Sequence, residues 1–247
     1  QLNQARAVLY GVSHMRTLRP VCMGALYWQL NDCWPVVSWA AIDSAAKPKL
    51  LWYASRTMYA PRLAAFIERG GRLELAADND GPDAWIGLVT VRRIGFDGRE
   101  LGRRDLDLDL PPQTARTLLD AAAVASLRPG DPTREMLVAD VAGLRAVWFF
   151  RPNKELHLQA PRFEARLEQE GNLYRLKVTA RTLLVDLCVM ADVADPMAHV
   201  LDQMFTLLPG ETCVFEIDVP SEQSLSLEQL TAPAVLQCAN RYAAAQP

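Results

Sequence analysis

The sequence is poor in cysteine and histidine and has no long uncharged apolar run. Its five cysteines are scattered without a C-x-x-C pair, and its three histidines, His14, His157 and His199, lie far apart in the chain. These shortages exclude a disulfide scaffold and predict reduced, mostly buried thiols, no zinc site and no cofactor. The absence of a run of roughly 18 apolar residues excludes a membrane-spanning helix.

Neither sign of charge dominates, because 26 basic residues are interspersed with 29 acidic ones. Nucleic acid and anionic lipid are therefore not expected partners. The chain opens at Gln1 without an initiator methionine or a signal peptide, which indicates a piece of a longer protein whose compartment cannot be assigned. With half of its 247 residues apolar, the chain can bury a substantial core.

Acidic residues are scarce in the first quarter of the chain, where no glutamate precedes Glu68 and only Asp32 and Asp43 carry carboxylates. A serine nucleophile is not indicated either, since the chain has no G-x-S-x-G motif. Tryptophan is concentrated here instead, with four of the six tryptophans before Pro61. This change of composition near Pro61 predicts a domain boundary.

The first 61 residues have the pattern of an α/β barrel repeat. Apolar residues at helical spacing predict a helix from Gln4 to Thr17, which Pro20 ends. The apolar run Val21–Leu30 predicts a strand buried on both faces, and Lys47–Tyr59 predicts a second helix. Helix, buried strand, loop and helix follow one another in such barrels.

Beyond Pro61 the pattern is mainly β, with short alternating runs between turn signals. We expect two immunoglobulin-like β-sandwiches, at residues 62–156 and 157–247, after a barrel segment at residues 1–61. Asp105, Asp107 and Asp109 alternate with leucines, which favours a solvated strand face over a calcium site. The predicted strands are Arg72–Ala77, Ala84–Ile94, Asp105–Leu110, Met136–Val138, Ala146–Phe150, Phe163–Gln169, Leu173–Ala180, Leu184–Met190, Met204–Leu207, Cys213–Val219 and Val235–Ala239.

One segment resembles a known family. Residues Gly24–Pro35, which read GALYWQLNDCWP, resemble the last barrel strand and its loop in the β-mannosidases of glycoside hydrolase family 2. The resemblance continues through Lys49–Tyr53 and Met58–Pro61, and more weakly at Trp148–Pro152 and Phe205–Glu211. It implies a retaining exo-enzyme that removes terminal β-linked mannose from oligosaccharides and whose two catalytic glutamates lie on earlier barrel strands.

Active sites of α/β barrels lie at the carboxyl ends of the strands, so the end of the predicted strand is where functional residues should cluster. Trp28, Asn31, Asp32 and Trp34 are the candidates for binding a sugar, since an indole packs on a pyranose face and amides and carboxylates bind hydroxyls. The resemblance places Trp28 at the scissile mannose. The alternative is that these residues pack or cap the loop, and packing is the role expected of Trp39 and Trp52.

Retaining glycosidases need two carboxyl groups about 5 Å apart. Since the resemblance places both on strands absent here, we expect no catalytic residue in this chain and no activity from the chain alone. An isolated barrel segment should expose apolar surface, and it could fold back on the first sandwich, join two copies as a dimer or be partly disordered. The alternative function is a carbohydrate-binding or structural β-sandwich module.

Overall fold

The computed structural model of the chain describes residues 1–221 and 224–243. The fold is mainly β, as predicted, and it divides into two compact units. Unit 1 comprises Gln1–Ile94, Glu100–Gly130 and Glu135–Phe150, and unit 2 comprises Gly95–Arg99, Asp131–Arg134 and Arg151–Pro247. The finer division into segments 1–61, 62–156 and 157–247 stays a prediction.

Unit 1 begins with the two predicted helices, α1 (Leu2–Arg16) and α2 (Leu50–Met58). Their apolar faces pack against each other through Val12, Leu51 and Met58, none of which is more than 3% exposed. Burial of this apolar stripe, rather than side-chain capping, stabilises the pair, since neither helix has an N-terminal side-chain cap.

The buried strand predicted at Val21–Leu30 is wrong. This segment is irregular, and Val21, Met23 and Leu26 are 91%, 65% and 84% exposed. A strand needs neighbours along its length for its backbone groups, but within the described residues this segment pairs with another extended segment only at its end. There Gln29 and Leu30 accept from Ala41, and the bridge Asn31↔Ile42 follows directly. The expected exposure of apolar surface is confirmed here.

The rest of unit 1 is a β-sandwich of two antiparallel sheets, one in the order β1-β2-β5 and the other in the order β4-β3-β6-β7. Sequence patterning identified five of these strands and missed β1 and β5. The strands are β1 (Arg62–Arg69), β2 (Arg72–Asn79), β3 (Trp85–Gly95), β4 (Glu100–Leu110), β5 (Thr114–Asp120), β6 (Glu135–Val141) and β7 (Leu144–Phe149), and a 3₁₀ turn (Ala125–Leu127) lies between β5 and β6.

Both sheets contribute to one core, which contains Phe66, Leu75, Trp85 and Leu137. The alternation predicted for β4 is confirmed, because Leu108 and Leu110 are buried while Asp105, Asp107 and Asp109 are exposed. The prediction that Trp85 is a core residue is also confirmed, at 1% exposure. Burying an aromatic side chain of this size contributes roughly 3 kcal/mol to stability.

Helix α1 also docks on the sandwich of unit 1 through a buried ion cluster. The Asp78 carboxylate, which is fully buried, lies 2.7 Å from Arg16 Nη2 and 3.4 Å from Arg19 Nε. Arg16 Nη1 donates to the carbonyls of Met58 and Ala60, at 2.7 Å each. Of the three outcomes expected for the barrel segment, folding back on the first sandwich is the one seen, and the contact includes both this ion cluster and the ring contact between Tyr10 and Trp148.

Unit 2 is a second β-sandwich with sheets in the orders β11-β13-β9-β8 and β12-β10-β14. Its core contains Leu176, Leu187, Phe215 and Leu230. The predicted strand Leu173–Ala180 is confirmed with the same bounds, and patterning missed the two-residue strand β11. The elements are a 3₁₀ turn (Asn153–Glu155), β8 (Phe163–Glu170), β9 (Leu173–Ala180), β10 (Leu184–Val189), α3 (Ala191–Ala194), β11 (His199–Val200), β12 (Phe205–Leu207), β13 (Thr212–Asp218), α4 (Leu227–Thr231), β14 (Leu236–Gln237) and α5 (Asn240–Ala243).

Two buried amide side chains complete the hydrogen bonding of the irregular strand β10. Gln203 accepts from the Val189 amide at 2.8 Å and donates to the Val189 carbonyl at 2.7 Å, as a neighbouring strand would. Asn240, which is fully buried, accepts from Val185 and donates to the carbonyls of Gln159 and Leu183. Asn240 thus replaces a ladder bond where β10 bulges between Leu184 and Leu187, and Gln203 does the same at the end of the strand.

Cys188, Cys213 and Cys238 are buried, so most of the five cysteines are buried, as predicted, and no disulfide joins any of the five. Burial raises the pKa of the Cys213 thiol to about 12 and also raises the pKa of the Cys238 thiol. Cys33, by contrast, is exposed. No helix in residues 1–221 and 224–243 is long and apolar enough to cross a membrane.

A glycine on β4 tests the packing of unit 1. A Cβ at Gly102 would lie 1.9 Å from the Ser126 carbonyl oxygen, whereas a Cβ at Gly11 in α1 has no heavy atom within 4 Å. We expect Gly102→Ala to lower the free energy of unfolding by about 2 kcal/mol. Gly11→Ala should raise it by about 1 kcal/mol.

Urea unfolding followed by tryptophan fluorescence measures both effects, since all six tryptophans lie in unit 1. Equal stability of the two alanine variants would contradict the close approach of β4 to the turn Ala125–Leu127.

The ion cluster predicts a large cost for neutralising Asp78. Asp78→Asn leaves the nearly buried Arg16 guanidinium without a carboxylate partner, while Arg19 keeps Asp80 at 2.6 Å, and we expect a loss of about 3 kcal/mol from the free energy of unfolding. The same fluorescence-detected urea titration measures it. Asp107→Asn, on the exposed face of β4, is the matched control and should change stability by less than about 0.5 kcal/mol. Similar curves for both variants would refute a structural role for the cluster.

Cysteine alkylation tests burial in both units. At pH 8 iodoacetamide should label Cys33 in the folded chain and spare Cys213, because its raised pKa keeps that thiol protonated and its side chain is only 7% exposed. Mass spectrometry of tryptic peptides identifies the labelled positions. Adding urea should expose Cys213 to the reagent, and native labelling of Cys213 as fast as that of Cys33 would contradict the fold of unit 2.

Candidate functional site

The candidate sugar-binding residues lie on the irregular segment between α1 and α2. We call residues 31–42 the site loop. Its base is closed by backbone bonds, because Ala41 and Ile42 donate to the Leu30 carbonyl at 3.0 and 2.9 Å and Asp32 donates to the Ile42 carbonyl at 3.0 Å. The loop is therefore anchored at its base although most of its side chains are exposed.

Trp28 lies just before the site loop and is 71% exposed, so its indole face is open to solvent. The peptide bond to Gln29 is cis. Two contacts hold the preceding residues on α2 and its end: Tyr27 Oη lies 3.0 Å from Ser55 Oγ, and Tyr59 Oη donates to the Ala25 carbonyl at 3.2 Å.

The two tyrosine rings also stack with centroids 6.3 Å apart. Burial, together with the neighbouring Tyr27, raises the pKa of Tyr59 above its ordinary value. The backbone beside Trp28 is thus fixed while its indole remains accessible.

Asn31 and Trp34 are both exposed, at the base and at the tip of the site loop. The Asn31 Nδ2 group donates to the Asp32 carbonyl at 3.3 Å. Within the described residues no hydrogen-bond donor reaches its Oδ1 atom. Trp34 is 67% exposed, and the neighbouring Val36 and Val37 are exposed as well. An aromatic side chain and an amide with spare hydrogen-bonding capacity are the groups that bind pyranose rings.

Asp32 differs from the other three candidates because it is buried, at 7% exposure. Its Oδ2 atom accepts from Ser38 Oγ at 2.6 Å and lies 3.7 Å from Lys49 Nζ. Lys49 Nζ also donates to the Ser38 carbonyl at 3.2 Å. Asp32, Ser38 and Lys49 form a closed set of contacts, which we call the loop clamp.

The remaining tryptophans of the segment are partly open to solvent. Trp39 is 63% exposed and its carbonyl accepts from Gln4 at 2.7 Å, whereas Trp52 on α2 is 36% exposed. The packing role expected of both stays a prediction, as do the sugar contacts of Trp28, Asn31, Asp32 and Trp34.

Both carboxylates of the first 61 residues, all of which the structure describes, are engaged in local hydrogen bonds. Asp32 belongs to the loop clamp, and the Asp43 carboxylate accepts from the amides of Ala45 and Lys47 at 2.9 Å each. Within the described residues no group of three or more histidine, cysteine, aspartate or glutamate side chains is arranged to hold a metal ion.

Sequence reasoning did not identify Ser38, Lys49, Tyr27 or Tyr59 as parts of the site. A signal for Lys49 was present, since it is one of only two lysines before residue 61 and lies near the only two carboxylates of that stretch. The tyrosine hydroxyls gave no such signal, because their partners are a serine and a backbone carbonyl.

No family model matches the chain. The chain is 27% identical over 209 residues to β-mannosidase A of Aspergillus clavatus, an alignment that covers 76% of this chain and 22% of that protein. It is 25% identical over 236 residues to β-mannosidase B of Aspergillus flavus, covering 85% of this chain and 27% of that protein. The chain thus spans about a quarter of the length of the curated relatives it matches.

The fold is similar to that of a solved β-D-mannosidase from Dictyoglomus thermophilum, with a TM-score of 0.75 and 23% identity over 95% of this chain and 28% of that one. Sequence and structure together relate this chain to the C-terminal portion of the β-mannosidases of glycoside hydrolase family 2.

Proposed function

We propose that this chain forms the C-terminal part of a retaining exo-β-mannosidase, and that residues 1–61 supply one wall of its sugar site. The observation that carries the proposal is the exposed Trp28, held by its neighbours on α2 at the edge of an anchored loop. The β-mannosidase relatives support a glycan as the substrate class. They support terminal β-linked mannose as the residue that is removed.

In this proposal the indole of Trp28 packs on the apolar face of the mannose ring, and Asn31 and Trp34 contact the sugar from the site loop. Asp32 is part of the same wall, but its side chain is buried inside the loop. An indole face stabilises a pyranose by dispersion and by burial of C–H groups, while the amide binds hydroxyls in pairs. These groups bind and orient the sugar, but none of them can break the glycosidic bond.

Bond cleavage with retention needs a carboxylate nucleophile and a carboxylic acid about 5 Å apart. Neither carboxylate of residues 1–61 is free for this work, because Asp32 is bound in the loop clamp and Asp43 caps a turn. We propose that both catalytic groups come from a part of the enzyme outside this chain. The chain alone is then inactive.

A carbohydrate-binding module on either sandwich is the weaker proposal. Such modules bind sugars with exposed aromatic rings. In the described parts of the sandwiches Trp85 is buried in the core, and the large aromatic side chain with the greatest exposure is Tyr242, at 67%, whose hydroxyl donates to Gln237 Oε1 at 3.0 Å. The exposed tryptophans are all in the first 61 residues. We therefore assign the sandwiches a structural role.

An assay of aryl β-mannoside hydrolysis tests the proposal. The chain alone should show no turnover at high protein concentration, and the full-length parent should be active. Trp28→Ala in the parent should lower kcat/KM by about tenfold or more, the equivalent of about 1.4 kcal/mol of lost transition-state stabilisation.

Trp52→Ala in the parent is the matched control, since it also removes a partly exposed indole but from α2, and it should keep most of the activity. Turnover by the chain alone would place the catalytic carboxylates in the sandwiches and overturn the proposal. An inactive parent would refute the β-mannosidase assignment.

A further inference from the structure

We propose that Asp32 is a positioning residue, which fixes the site loop through Ser38 and Lys49 instead of contacting the substrate. This inference rests on the proposed function. It gives Asp32 a role different from the sugar contact that the sequence predicted for it. The juxtaposition that carries it is a buried carboxylate with both a hydroxyl and an ammonium group on the same oxygen.

Burial is the first step of the argument. The side chain of Asp32 is 4% exposed, and that of Lys49 is 13% exposed. A carboxylate that binds sugar hydroxyls must present oxygen atoms to the cleft. In Asp32 the Oδ2 atom is instead occupied by Ser38 Oγ at 2.6 Å, with Lys49 Nζ 3.7 Å away. An ion pair with little solvent around it keeps its geometry, since removing either partner leaves a buried charge.

The second step concerns the segments of the chain that the clamp connects. Asp32 enters the site loop, Ser38 lies on its far side, and Lys49 lies directly before α2. Ser38 Oγ also accepts from the Ala40 amide at 3.1 Å, and the Lys49 amide donates to the Ala41 carbonyl at 2.8 Å. The clamp thus joins both arms of the site loop to the start of α2. The exposed tip from Cys33 to Val37 lies between them.

The third step is the consequence for the indole at the tip. Trp34 is 67% exposed, so the position of its ring depends on the backbone of the loop more than on packing against other side chains. A displacement of about 1 Å in a group that orients a substrate can cost up to about 100-fold in rate. Loss of the clamp should therefore weaken the enzyme without any change in the residues that meet the sugar.

Cys33 provides a direct readout, because it is an exposed thiol at the tip of the loop. A nitroxide attached to Cys33, in a chain carrying Cys22→Ser, reports loop motion by electron paramagnetic resonance. We expect a restricted spectrum in this parent chain and a mobile one in Asp32→Asn, Ser38→Ala and Lys49→Met. Lys49→Arg should restore the restricted spectrum, and Asp43→Asn, outside the clamp, should leave it unchanged.

Kinetics of the full-length parent then separate the clamp from a sugar contact. If Asp32 acts through the clamp, Asp32→Asn, Ser38→Ala and Lys49→Met should each lower kcat/KM by about 10- to 100-fold, and the double variant Asp32→Asn/Ser38→Ala should lose no more than the worse single one. Lys49→Arg should recover most of the activity. Circular dichroism should show the folded spectrum for every variant.

Two results would overturn the inference. One is a severe loss in Asp32→Asn beside near-normal activity in Ser38→Ala and Lys49→Met, which is the signature of direct substrate contact. The other is a nitroxide whose mobility does not change in any clamp variant. The resonance measurement uses this chain and needs no activity, so an inactive parent would refute the proposed function and leave the clamp to be judged on its spectra.

Discussion

The buried pairing of Asp78 with Arg16 and Arg19 is the constraint on which the arrangement of unit 1 depends. A carboxylate without solvent is costly unless cations are held against it, so the end of α1 must stay on the sheet β1-β2-β5. Arg16 also binds the carbonyls of Met58 and Ala60, which fixes the end of α2 at the same place. The site loop lies between these two helices in the chain, so the cluster fixes the ends of the elements that flank it.

Where a strand predicted from local patterning does form, its neighbouring strands are part of the chain. The alternation of β4 and β9 holds because partner strands satisfy their backbone groups and both sheets bury the apolar face. Val21–Leu30 has the composition of a buried strand, but within the described residues it lacks partners beyond the bridges at its end. Composition measures a tendency to be buried. Pairing decides whether a strand forms, and pairing is not a local property.

For the candidate site, as for the strands, the sequence predicted only part of what the structure contains. Residue type and a resemblance sufficed to select Trp28, Asn31, Asp32 and Trp34, and the structure puts all four on one anchored segment. The difference between an open tryptophan and a clamped aspartate could not be read from sequence. It depends on Lys49, which is 17 residues from Asp32 in the chain and approaches its carboxylate only because the loop closes through Leu30 and Ile42. Such contacts follow from the fold.

The distribution of polarity in the site loop is the inverse of that in an ordinary surface loop. Its carboxylate is buried, and its indole and valine side chains face solvent. Exposed apolar groups gain nothing from water, while burying the Asp32–Lys49 pair costs desolvation, so isolated stability does not explain the arrangement. It is explained if the apolar tip meets another surface in the working protein and the polar base must be rigid for that contact. In the proposed enzyme, a sugar ring beside Trp28 and Trp34 and the rest of a barrel around the loop would satisfy both conditions.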